Sequence, residues 1–103
     1  MKKIILFILL TVSTNVFSAY YTGENLITDI RSSSSIDRMV AMGYIYGVVD
    51  VYFTSCQIIF AGVSGNQLVQ ITKNYLEKHP ENWNYTGESE VYLAISEKYP
   101  CKK

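Results

Sequence analysis

Histidine and tryptophan occur once each in these 103 residues, cysteine and proline twice each, and neither charge sign is in excess. Each scarcity excludes something. A single histidine, His79, and two cysteines that an exported chain would bridge leave no Cys/His pair for nucleophilic catalysis and no cluster of metal-ligand spacing. Glycine-rich phosphate loops and nucleophile elbows are missing too. With 9 basic against 9 acidic side chains, the counterion-release term behind most nucleic-acid binding is absent. The composition therefore points away from an enzyme, from a cofactor or metal site and from a nucleic-acid partner. At 49% hydrophobic residues the chain is too apolar to be disordered, and its length allows one small domain.

The N-terminus reads as a secretory signal. Lys2 and Lys3 precede an apolar run from Ile4 to Val12, broken only by Thr11, and a polar stretch ends in Val16-Phe17-Ser18. The run is about half the roughly 20 residues that a membrane span requires. Cleavage is placed after Ser18, with Ala19 the alternative, so that residues 1–18 are signal and 19–103 a helical domain, periplasmic and with no membrane segment once the signal is removed. Loss of Lys2 and Lys3 leaves seven basic against nine acidic residues, a net charge of −2. So small a core is marginal and often carries a covalent staple. Cys56 and Cys101 both lie in the exported part, and one disulfide is the simplest use of them. An intermolecular bridge and a reactive thiol are the alternatives.

Four helices are predicted, an all-α bundle. Thr22 caps the first, over 24–30, with Leu26, Ile27 and Ile30 apolar. Residues 34–37 supply capping chemistry for the second, over about 36–53. That helix is apolar all round: Ile36, Val40, Gly43, Gly47 and Val51 share one face, Ile45, Val49 and Tyr52 the opposite one, and Met39, Met42 and Tyr46 the flank. Such a helix is expected to be buried, wrapped by its neighbours or meeting a second copy of the chain. Gly43 and Gly47 are expected to receive another helix of the same domain. Asp50 sits among apolar positions and therefore calls for a structural hydrogen bond, with a functional carboxylate the alternative. Ser64 and Gln67 form a capping box for the third helix, which Pro80 ends through His79. The fourth runs over about 87–99 with Thr86 as cap and Val91, Tyr92, Ala94 and Ile95 as its apolar arc.

Residues 79–86, His-Pro-Glu-Asn-Trp-Asn-Tyr-Thr, combine aromatics with adaptable amides, as recognition loops do. His79, Glu81, Asn82, Trp83, Asn84 and Tyr85 are the candidate partner contacts. The competing reading folds Trp83 and Tyr85 back as core. Glu81, Glu88 and Glu90 are read as solvated surface carboxylates. The nine tyrosines suit contact with another protein, or the filling of the core.

Certain motifs are familiar in order and spacing. They are Gly43-Tyr44-Ile45-Tyr46-Gly47-Val48-Val49-Asp50 with Cys56 following, Val63-Ser64-Gly65-Asn66-Gln67-Leu68, Tyr75-Leu76-Glu77-Lys78-His79-Pro80, and Tyr99-Pro100-Cys101. Together they resemble the Rap/Tai family of periplasmic immunity proteins, which accompany type VI secretion and neutralise peptidoglycan amidase toxins. Gly23-Glu24-Asn25-Leu26-Ile27 is similar to the opening of that family's first helix. Two further cysteines of many members, near Ile30 and Ala41 here, are both missing. The loop after Cys56 lacks the family's proline, and Tyr99 replaces a usual Phe. The resemblance implies a compact helical domain, often a homodimer, that occludes the active-site cleft of a secreted amidase with the loop between its last two helices. A second function consistent with the residues is a periplasmic chaperone or envelope stress protein.

If Cys56 and Cys101 are joined within one chain, the exported protein analysed without reductant should be two hydrogens lighter than its reduced form. Two free thiols would remove the staple.

Overall fold

The computed structural model describes residues 20–53 and 62–100. The signal reading of residues 1–18, the loop around Cys56 and the bridge to Cys101 lie outside the described residues. Four helices follow in order: α1 (Gly23–Ile30), α2 (Ser35–Phe53), α3 (Gly65–Lys78) and α4 (Gly87–Lys98), with a single 3-10 turn (Pro80–Asn82) between the last two. The expected all-α bundle is what forms. No helix among the described residues is long and apolar enough to cross a membrane.

The helix starts follow from their capping residues. Thr22 caps α1 and Asn25 returns a bond to the Thr22 amide, while Ser64 and Gln67 do the same for α3. The Thr86 hydroxyl accepts from the Ser89 amide at the start of α4. These bonds satisfy amides that a helix leaves without an internal partner. At the start of α2, the Arg38 amide donates to the Ser34 carbonyl and the Ser32 hydroxyl donates to Asp37 (2.7 Å). At the end of α3, His79 leaves helical geometry (φ −127°, ψ 57°) immediately before Pro80, as the steric demand of a following proline dictates.

The core draws on all four helices. Leu26 and Ile27 of α1 pack with Ala41, Ile45 and Phe53 of α2, Leu68 and Leu76 of α3, and Val91 and Ile95 of α4. Thr72 is buried among them because its hydroxyl donates to the Leu68 carbonyl one turn back (2.9 Å).

The long helix α2 is not wrapped on all sides by the other described helices. It is buried on one side only, through Ala41, Ile45, Val48, Val49 and Phe53, while Ile36 (71% exposed), Met39, Val40 and Val51 face outward. Gly43 and Gly47 lie on that outward face, and among the described residues nothing comes within 4 Å of where their β-carbons would stand. Among the described residues the close helix packing expected there is not made. The physical reason is number: the three other described helices all pack on one side of this 19-residue helix. Asp50 is likewise exposed rather than enclosed by apolar side chains.

Candidate partner-binding surface

The loop between α3 and α4 is built by its backbone. The Asn82 amide donates to the His79 carbonyl (3.0 Å), Trp83 to Pro80 (3.2 Å) and Tyr85 to Asn82 (3.0 Å), making a run of tight turns. Two further bonds fix the loop to α1. The Gly23 amide donates to the Tyr85 carbonyl and the Glu24 amide to the Trp83 carbonyl, both at 2.9 Å. Together with the Thr22 hydroxyl on Asn25 and the Thr22 carbonyl on Leu26, they give all of the first four amides of α1 an acceptor. The Gly87 amide in turn donates to the Tyr21 carbonyl (2.8 Å), and Thr22 pairs with Thr86 in an antiparallel bridge. The two helix starts are therefore stitched side by side.

Glycine eases one of these seams. A β-carbon on Gly23 would stand 3.2 Å from the Trp83 Cα and 3.3 Å from its carbonyl oxygen. Backbone atoms yield less readily than a side chain, so a larger residue would press the loop back from α1 by a few tenths of an ångström.

The two loop aromatics differ in burial. Trp83 is half-buried against the core, and its indole N–H donates to the Leu76 carbonyl in the last turn of α3 (2.7 Å). The Arg31 guanidinium lies 5.5 Å from its ring centroid and pairs with Glu77 (3.0 Å). Tyr85 is half exposed, and Glu81 and Asn84 are exposed beside it. His79 and Asn82 are half-buried. The structure thus brings the six predicted contact residues into one loop but divides their work: Trp83 anchors, while Tyr85, Asn84 and Glu81 project. The His79 ring stacks on Tyr75 (centroids 4.4 Å apart) and its Nδ1 lies 3.2 Å from the Glu81 carboxylate. A backbone amide and that imidazole hold the Glu81 carboxyl below its ordinary range.

One acid departs from its expected place. Glu90 is fully buried, not solvated, and neither carboxyl oxygen has a hydrogen-bond partner among the described residues. Burial pushes its carboxyl above the usual range. The signal for this in the sequence is faint: at helical spacing Glu90 flanks the buried arc next to Ala94. A second feature has no counterpart in the motif reading. Two shallow depressions, of about 400 and 310 Å3, meet at Tyr52 and Glu88. The first reaches Tyr92 and Leu93, and the second opens over Gly43, Gly47 and Val51. The Tyr52 hydroxyl donates to the Glu88 carboxylate where they join.

Replacing Trp83 by Phe should cost about 1 kcal/mol through the lost bond to Leu76, and more if that carbonyl stays dry. Tyr85→Ala should change stability by less than about 0.5 kcal/mol. Urea unfolding of both variants checks this; equal losses would contradict the division between anchor and projecting ring.

Among known proteins, the family model described as Rap1a immunity proteins matches residues 22–101. No curated protein and no solved structure matches.

Proposed function

The chain belongs to the Rap1a immunity proteins, and from that premise we propose that it is a periplasmic inhibitor of a type VI secreted peptidoglycan amidase. Residues 1–18 direct its export, and the 79–86 loop enters the amidase cleft and blocks it. It performs no chemistry of its own. The observation that carries this reading is the loop's construction. Its backbone is fastened to α1 at Tyr85 and Trp83, and the Trp83 indole is fastened to α3. Tyr85, Asn84 and Glu81 are left facing outward. A plug already held in one shape loses little conformational entropy on binding. An aromatic ring flanked by amides and an acid supplies apolar area and hydrogen bonds together.

The test separates contact from folding. Tyr85→Ala should weaken binding of the purified cognate amidase by about tenfold or more, with helical content unchanged. The Tyr85→Ala and Asn84→Ala pair should restore amidase activity at inhibitor concentrations where the unaltered protein suppresses it. Unchanged affinity in the double variant would place the contact elsewhere.

The outward face of α2 supports a homodimer. Ile36, Met39, Val40 and Val51 form an exposed apolar strip around the two glycines. In an antiparallel pair, Gly43 meets Gly47 of the partner subunit and Met39 meets Val51 of the partner subunit. The strip is therefore complementary to itself, as a two-fold interface requires. A β-carbon at position 47 meets nothing within 4 Å among the described residues. Gly47→Leu should accordingly fold and sediment as a monomer where the unaltered protein sediments as a dimer. An unaltered protein that is monomeric at high micromolar concentration would refute the dimer, and broad suppression of client aggregation by that monomer would favour the chaperone reading.

A further inference from the structure

Glu90 lies directly beneath the junction where α1 receives the loop. Its Cγ is 3.0 Å from the point where a β-carbon on Gly23 would stand, and the Trp83 carbonyl oxygen is 3.3 Å from that same point. The side chain has no exposure and both carboxyl oxygens are orphaned among the described residues. An ionised carboxylate in such a place keeps neither water nor donors, and burial therefore favours the neutral acid. The groups that face it from other elements are few. Tyr75 and His79 come from α3 and its end, Glu81 comes from the 3-10 turn, and α1 presents Gly23. Charge on Glu81 disfavours the carboxylate, and an imidazolium at His79 favours it.

We propose that Glu90 makes the seating of the 79–86 loop depend on pH. With the carboxyl protonated, the loop rests against α1. With it ionised, the carboxylate draws in water beneath the loop and weakens the Gly23–Tyr85 and Glu24–Trp83 hydrogen bonds. The sign follows from the direction in which burial moves this acid. A carboxyl raised on folding contributes stability that is complete below the ordinary carboxylate range and is lost as pH rises through the raised value. The loop is thus firmest in acid and loosens toward alkaline conditions. The effect on amidase binding rests on the loop contact proposed above; the effect on the loop itself does not.

The test begins with the unbound protein. Hydrogen exchange at the Gly23 and Glu24 amides, corrected for the intrinsic pH dependence of exchange, is followed from about pH 4 to about pH 8. Protection should fall by about tenfold or more as pH rises, while core amides of α3 keep theirs. Glu90→Gln, which cannot ionise, should abolish the change. Protection that is flat in the unaltered protein, or that falls equally in Glu90→Gln, would overturn the proposal. A direct carbon-13 titration of the Glu90 carboxyl in the unaltered protein serves if that variant does not fold. A midpoint above the ordinary carboxylate range supports the proposal and an ordinary midpoint overturns it. Amidase affinity measured over the same range should fall with rising pH in the unaltered protein alone. An amidase that ignores Tyr85 and Asn84 would refute the loop as a contact while leaving the exchange result to decide the role of Glu90.

Discussion

The bundle turns on an unmet need at the start of α1. An eight-residue helix leaves as many amides unpaired at its N-terminus as a long one, and has little else to hold it. The Thr22 side chain satisfies the Asn25 amide, the Asn25 side chain satisfies the Thr22 amide, and the two that remain take the carbonyls of Tyr85 and Trp83. That exchange orders the connection between α3 and α4, which would otherwise be a surface loop. It also explains why position 23 is glycine, because the backbones must come close enough for the bonds to form. The same contact organises the stability of α1 and the shape of the surface proposed to meet the toxin.

The molecule separates two kinds of surface. At the loop, polar and aromatic groups stand on a backbone held from below, with the Trp83 ring turned inward and the Tyr85 ring turned outward. Along α2, the surface is apolar, with two glycines at its centre and a shallow depression over them. The first is the surface proposed to meet a dissimilar partner, the second the one proposed to meet a second copy. A small domain with so little reactive chemistry has room for both because they lie on different elements.

Much of the fold was legible in the residue order. The caps at Thr22, Ser64 and Thr86, the Gln67 return bond and the break at His79-Pro80 are local features, and local features need only local sequence. The unusual composition of residues 79–86 marked the loop. What stayed hidden depends on neighbours. Periodicity shows that Ile36, Gly43 and Gly47 share a face of α2, but not that the other described helices all pack on the opposite side. It leaves Glu90 beside the buried arc of α4 without showing that α1 and the loop close over it. It could not divide Trp83 from Tyr85, since the division rests on the position of the Leu76 carbonyl seven residues earlier.

The pairing of Thr22 with Thr86 has a consequence for how the chain assembles. A polypeptide made from its N-terminus produces α1 early, yet two acceptors for its amides arrive only with Trp83 and Tyr85, some sixty residues later. On its own, so short a helix is marginal. This early helix is thereby among the last able to settle, and the closing contacts join distant parts of the chain, which slows folding relative to a bundle of sequential neighbours. A truncated product ending before residue 83 lacks those acceptors, so incomplete chains are left conspicuously loose at their leading end.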